Sequence, residues 1–315
     1  MESLLNHSAL GDFILLGIFS HNQTDLVLFS AVLVVFTVAL AGNILLLFLI
    51  YCDAQLHTPM YFFLSHLSLM DLTLICTIVP KMADNFIRER KSISFFGCGL
   101  QIAFFVSLVG SEGLLLGLMA YDRYVAISHP LRYNVLMSQR VCLQIVGSSW
   151  AFGSLDGLIQ VVAAMNFTYC GSREVNHFFC EVLALLKLAC ADTSLYDILG
   201  YFCCIFMLFF PFSIIVASYA KILRAVINMN STQAHQKALT TCSSHLAAVS
   251  LFYGAAMFIY LRPKRYRAPA HDKIVSLFYT VLTPMLNPLI YSLRNREVMR
   301  ALRKRLSHWV TGCHK

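Results

Sequence analysis

The sequence predicts an all-α membrane protein, a seven-transmembrane helix bundle with a short amphipathic C-terminal helix. Three observations carry that expectation. Of 315 residues, 58% are hydrophobic and 13% charged, against roughly 45–50% and about 25% in soluble globular chains. The apolar residues gather into seven segments long enough to cross a bilayer, and a basic stretch with helical spacing follows the last of them. This composition excludes a pair of water-soluble domains, a disordered chain and a small disulfide scaffold. The net charge of +8 sits in short clusters between apolar runs, which argues against a nucleic-acid partner.

A helix needs about 20 mostly apolar residues to span the hydrocarbon core, where its backbone polar groups must be satisfied without water. The seven segments are Leu26 to Ile50, Met60 to Val79, Leu100 to Tyr121, Val141 to Ala163, Leu195 to Ile222, Ala238 to Leu261 and Ile274 to Leu293. They divide the chain into an extracellular tail (1–25), a membrane domain (26–294) and a cytoplasmic helix and tail (295–315). In that last segment Val298, Met299, Leu302, Leu306 and Trp309 recur at helical spacing among Arg296, Arg300, Arg303 and Lys304, as in a helix lying on an anionic leaflet. Cys313 offers a weak palmitoylation signal. Met1 to Asp25 holds no Lys or Arg, so the first span reads as an uncleaved signal anchor.

Basic residues alone set the orientation weakly, because an N-out arrangement leaves Arg88, Arg90, Lys91, Arg262 and Lys264 outside. Three glycosylation sequons, at Asn6, Asn22 and Asn166, fall on the N-terminal side of seven spans, together with Cys98, Cys170, Cys180 and Cys190. Glycosylation is lumenal chemistry and disulfides form in oxidising compartments, so both favour an extracellular N-terminus. The four cysteines allow three pairings, and their spacing does not choose among them.

Ionisable groups inside spans are costly and read as functional. Asp71 in span two and Glu112 in span three cannot both be ionised side by side unless a cation lies between them. A protonated, hydrogen-bonded polar pair that only specifies packing is the other reading. Asn43 and Asn287 are placed to complete an oxygen and amide shell. Phe105, Val109, Glu112, Leu116, Met119 and Arg123 follow steps of three and four, one stripe that joins an apolar half of span three to its charged end. Asp122 and Arg123 form a local ion pair at that end. Pro284 and Pro288 are expected to break span seven.

Six motifs in order carry a family resemblance: Gly42-Asn43; Leu56-His-Thr-Pro-Met-Tyr-Phe-Phe-Leu64 through Asp71-Leu72; Met119-Ala-Tyr-Asp-Arg-Tyr-Val-Ala-Ile127; Ser218-Tyr219; Lys237-Ala-Leu-Thr-Thr-Cys-Ser-Ser-His-Leu246; and Pro284-Met-Leu-Asn-Pro-Leu-Ile-Tyr-Ser-Leu-Arg-Asn295. The chain resembles vertebrate odorant receptors of the tetrapod type, within the rhodopsin-like G-protein-coupled receptors, over nearly its whole length. Departures from the family pattern include His66, Gly113, Ser128, Val182 and Thr240. Gly113 and Val182 bear on pocket shape.

The resemblance implies the disulfides Cys98–Cys180 and Cys170–Cys190, a sodium ion at Asp71 and Glu112, and no other cofactor. It implies that Asp122, Arg123 and Tyr124 engage the G protein, with Tyr219, Asn287, Pro288 and Tyr291 taking part in activation. Coupling would run through an olfactory stimulatory G protein to cyclic AMP, with receptor-transporting accessory proteins delivering the chain to the plasma membrane of olfactory cilia. The odorant cavity would be faced by Ile102, Phe105, Val106, Val109 and Gly110 from span three, and by Cys203 and Met207 from span five. Span six would add Tyr253, Ala256, Met257 and Tyr260, span seven Leu277 and Thr280, and the long loop Val182.

Such an apolar wall suits a small, uncharged volatile. No acid stands at the span-three positions, which argues against an amine held by an ion pair. Asp156 in span four is the exception, and pairing with a neighbouring helix is favoured over contact with a ligand. His177-Phe-Phe-Cys-Glu181 has residue types for copper or zinc, but Cys180 offers no thiolate if it is bridged. A non-olfactory chemosensory receptor is the nearest alternative. A transporter would require matching broken half-helices in two repeats, and the chain carries no nucleophile elbow, zinc-protease motif or phosphate loop of an enzyme.

Overall fold

A computed structural model describes residues 11–19, 22–88, 91–228, 232–262, 268–293 and 295–312. The sequon at Asn6 and the cysteine at position 313 lie outside them. A short strand, β1 (Phe13–Leu15), leads into α1 (Gln23–Cys52), α2 (Pro59–Ile87), strand β2 (Ser92–Ile93), α3 (Phe95–Ser128) and α4 (Gln139–Met165). Strand β3 (Glu174–Val175), α5 (Ser194–Ile227) and α6 (Thr232–Tyr260) follow. The seventh span is α7 (Pro269–Leu277), a π-helical turn (Phe278–Leu282) and α8 (Thr283–Leu293), and α9 (Arg296–Gly312) ends the fold.

Among the described residues, seven helices are long and apolar enough to cross a membrane, and each contains most of one sequence-defined segment. Their starts follow local chemistry. Asn22 accepts from the Asp25 amide at 2.7 Å, Ser94 accepts from the Gly97 amide at 3.0 Å, and Pro59 occupies the first turn of α2, where its missing N–H costs nothing. Helix α3, at 34 residues, is about 50 Å long and exceeds the roughly 30 Å hydrocarbon core. It is the central strut, packed against α2, α4, α5 and α6. On α5 the side chains of Phe206, Phe209 and Phe210 are exposed, as expected of a helix face turned to lipid.

The close approach of α3 and α4 depends on two glycines one turn apart. A Cβ on Gly153 would lie 2.1 Å from the Ser111 hydroxyl, and one on Gly157 would lie 2.0 Å from the Ser107 hydroxyl. Small residues at this spacing let helix backbones touch in a membrane.

Span seven differs from its expected break. Helix α8 runs through Pro284 and Pro288, and the irregular turn is the π segment just before them. Pro288 cannot donate to the carbonyl of Pro284. Asn43 on α1 donates its side-chain amide to that carbonyl at 2.8 Å, and to Ala39 at 2.9 Å. The NH2 group of Asn43 therefore serves the helix seam, and its side-chain oxygen takes no part in that seam.

A three-stranded sheet covers one end of the bundle: β1 pairs antiparallel with β2 and parallel with β3. Phe13, Leu15 and Ile93 seal it over a small apolar cluster with Cys98, Ile102 and Cys180. The disulfides Cys98–Cys180 and Cys170–Cys190 both lie here, and we call this the disulfide end. At the opposite, Arg123 end, α9 is tied back by the Tyr61 hydroxyl donating to Glu297 at 2.8 Å and Arg305 donating to the Cys52 carbonyl at 2.6 Å. Val298 and Ala301 are buried, whereas Arg300, Arg303 and Lys304 are exposed, so α9 has the two-faced character its sequence predicts.

Candidate functional site: a cavity and its link to the Arg123 end

Beneath the disulfide end lies a cavity of about 440 Å3, walled by α3, α4, α5, α6 and the loop after β3. Of the sequence-predicted positions, Phe105, Val106, Val109, Gly110, Val182, Met207, Ala256 and Tyr260 line it. Six others do not. Ile102 is buried one turn nearer the sheet, within its apolar cluster. Cys203 is displaced by its neighbour Cys204, which the turn of α5 points into the cavity.

Tyr253 sits deeper, donating to the Gly113 carbonyl at 2.9 Å, and Met257 packs into the main core. Leu277 and Thr280 fail for a common reason: span seven does not contribute to this wall. Leu277 joins the core, and Thr280 bonds back to the Ser276 carbonyl at 2.7 Å. In their place come Asp156 and Gln160 from α4, Leu183 and Leu186 from the loop, Tyr196 and Gly200 from α5, and Phe252 from α6. Gln160 follows Asp156 by four residues, the one periodic signal that flags this side of α4.

The loop is held by its buried parts. Gln101 on α3 accepts from the Cys180 amide at 2.8 Å and donates to the Thr77 carbonyl at 3.1 Å, locking the disulfide to α2 and α3. Cys180 is bridged and has no thiolate for copper or zinc. His177 lies 3.4 Å from Glu181. Burial, with Lys273 and Lys187 nearby, lowers its pKa to about 3, so the imidazole is neutral near pH 7.

Below the cavity three helices meet on one amide. Asn287 donates to Asp71 at 3.0 Å and reaches Glu112 at 3.4 Å, so α8 joins the two carboxylates of α2 and α3. The side-chain oxygens of Asn287 and Asn43 are buried without a hydrogen-bond partner. Carboxylate and amide oxygens are the donor set a hard monovalent or divalent cation takes.

Further along α3, His245 of α6 contacts the Leu116 carbonyl at 3.1 Å and the Tyr219 hydroxyl at 2.8 Å. A carbonyl only accepts, so Nε2 carries the proton and Nδ1 accepts from Tyr219. This one ring joins α3, α5 and α6. In the sequence His245 stands inside the motif from Lys237 to Leu246, where nothing marks it out as a link between helices.

At the end of the stripe Arg123 pairs with Asp122 at 2.6 Å, both side chains almost fully buried. The Tyr133 hydroxyl donates to the other Asp122 oxygen at 2.8 Å. Burial and the Asp122 charge push that hydroxyl's pKa well up, which keeps it a donor. Lys221 stands 5.0 Å over the ring of Tyr124, and Tyr291 is buried with its hydroxyl unpartnered.

The profile of the olfactory receptor family matches residues 32–308. The chain belongs to the olfactory receptor family. It is similar to Olfactory receptor 2V1 of Mus musculus, 76% identical across 98% of each chain, and to Olfactory receptor 2V1 of Homo sapiens, also 76% identical across 99% of each. Olfactory receptor 2V2 of Homo sapiens is 74% identical, again across 99% of both chains. This olfactory receptor is thus a multi-pass membrane protein of the rhodopsin-like class. Its described sequons lie on the disulfide side: Asn22 caps α1, and Asn166 is exposed at the end of α4.

Proposed function

We propose that the protein is an odorant receptor that binds a small, mostly apolar volatile in the 440 Å3 cavity. Binding would activate an olfactory stimulatory G protein and raise cyclic AMP. The observation that carries this reading is the continuity of α3. The helix that walls the cavity at Phe105 and Val109 also accepts from Tyr253 at Gly113, touches His245 at Leu116 and ends at the buried Arg123–Asp122 pair.

In this reading a ligand wedged between α3, α5 and α6 favours an arrangement in which α6 swings away from α3. It can shift that equilibrium only by its differential affinity for the two arrangements. Separation breaks the His245 contact with Leu116, exposes the Arg123 end and frees Arg123 for the G protein. Tyr219, Tyr291 and Tyr124 supply contacts for the opened state. Asn287 and Pro288 set the shape of α8 on which it closes.

The disulfide end, with Asn22 and Asn166, faces the cell exterior, and α9 lies on the inner leaflet. Sodium would be held by Asp71 and Glu112 with the amide oxygens of Asn287 and Asn43, and would supply positive charge between two otherwise repelling carboxylates. Receptor-transporting accessory proteins would deliver the chain to olfactory cilia. The test is a cyclic AMP assay in cells carrying an olfactory G protein and those accessory proteins, screened with a broad volatile panel. A hit that vanishes in Arg123→Ala at equal surface expression supports the reading. A hit that persists at full strength in that variant overturns it.

A further inference from the structure

The cavity wall is apolar on α3 and polar on α4, with Glu181 of the loop and Tyr260 of α6 also at its lining. Asp156 and Gln160 stand one turn apart on α4, and the Tyr196 hydroxyl of α5 donates to the Gln160 side-chain oxygen. That bond fixes the Gln160 amide with its NH2 group free to serve Asp156, which has Gln160 as its side-chain hydrogen-bond partner. The Asp156 Oδ1 atom has no partner.

Two glycines keep this stretch uncovered. A Cβ on Gly110 of α3 would stand 3.9 Å from Asp156 Oδ2, and one on Gly200 of α5 would stand 3.8 Å from Gln160 Oε1. A Cβ at either position would stand in van der Waals contact with these polar groups. Helix α4 comes close enough to take part because Gly153 and Gly157 let it lie against α3. A carboxyl group in an apolar wall with half its hydrogen-bonding capacity unused costs stability. None of the residues lining the cavity is a Lys or Arg that would pair with it.

We propose that Asp156 is the polar anchor of the cavity and that the ligand class is small apolar alcohols, with the hydroxyl on Asp156 and the hydrocarbon body against Val106, Val109, Met207 and Ala256. A hydroxyl donates to the ionised carboxylate, which an ether or ester oxygen cannot do. An ether, an ester or a hydrocarbon of the same shape leaves an ionised Asp156 unserved, and a carboxylic acid brings like charge toward Asp156 and Glu181. The sequence favours Asp156 as a partner for a neighbouring helix; the structure places its carboxyl group at the cavity lining.

The inference rests on the cavity being the odorant site, so its test reads binding and coupling separately. Full-length receptor in lipid nanodiscs is titrated with a panel of medium-chain and terpenoid alcohols, each beside its own methyl ether, with ligand-induced thermal stabilisation as the readout. A hydrogen bond to a carboxylate is worth roughly tenfold or more in affinity. The expected result is that alcohols bind at least about tenfold more tightly than their ethers. The preference should collapse to near unity in both Asp156→Leu and Asp156→Ala, while the ethers keep their affinity.

Two substitutions guard against a single variant that does not fold. An alcohol-to-ether ratio unchanged by either substitution overturns the proposal, as does a panel in which no alcohol binds. Cyclic AMP is then measured with the same pairs. Alcohol binding without a cyclic AMP response leaves the anchor standing and removes the coupling. Responses to ligands indifferent to Asp156 do the reverse.

Discussion

The side chain of Asn43 donates to the carbonyl of Pro284, 241 residues along the chain, at 2.8 Å. Pro288 leaves that carbonyl without its helical donor, and the α1–α8 seam supplies one from outside. Leaving a buried carbonyl unserved costs about 1–3 kcal/mol. Asn43→Leu is therefore expected to lower stability by that order, read as a lower midpoint of thermal unfolding in purified receptor. An unchanged midpoint would mean that water serves Pro284 equally well.

Gly157 makes a sharper demand. A methyl group there meets the Ser107 hydroxyl at 2.0 Å and the Ala103 carbonyl at 2.7 Å, whereas one on Gly147 meets nothing within 4 Å. Gly157→Val should force α3 and α4 apart and leave little receptor at the cell surface. Gly147→Ala in the same helix should be delivered normally. Equal surface labelling of the two variants would contradict this packing.

The Asp71–Asn287–Glu112 cluster predicts a sodium effect. If sodium neutralises the two carboxylates, raising its concentration at constant ionic strength stabilises the wild-type receptor, and Asp71→Asn abolishes the increment. The readout is again thermal unfolding. Retention of the sodium increment in Asp71→Asn would favour a carboxyl pair that serves packing alone.

His177 gives a pH dependence whose sign follows from its depressed pKa. The folded loop holds the imidazole neutral down to about pH 3, while an unfolded histidine takes up its proton near pH 6.5. Its contribution is present above about pH 6.5 and is lost progressively as the pH falls toward the folded value. Glu181, Lys187 and Lys273 face the same site, so the comparison is with His177→Gln. That variant should lose less stability than the wild type between about pH 7 and pH 5. Parallel curves would remove His177 as the source.

Much of this was legible in the sequence. The spans, the amphipathic α9, the Asp122–Arg123 pair and the stripe along α3 follow from composition and helical period, because lipid imposes a length and apolar character on every crossing segment. What stayed hidden depends on where helices cross. Thr280 and Leu277 share a span with Asn287, yet that span contributes no residue to the cavity wall: Leu277 packs on the main core and Thr280 bonds back to the Ser276 carbonyl. Cys204 replaced Cys203 by a single step of the helical wheel. Asp156 and Gln160 were visible as polar residues, but only the glycine contact between α3 and α4 shows that their face reaches the cavity. The prolines were expected to break α8, and a side chain 241 residues away keeps that helix continuous.

The parallel pairing of β1 with β3 has a consequence for biosynthesis. Ile14 pairs with Ser92 on one side and Glu174 on the other. At ordinary translation rates the second partner emerges on the order of ten seconds after the strand itself. During that interval Phe13 and Leu15, fully buried in the finished protein, have Ile93, Cys98 and Ile102 beside them but lack Val175 and Cys180, the later members of their cluster. The cap over the disulfide end thus closes only after the first four spans have been synthesised.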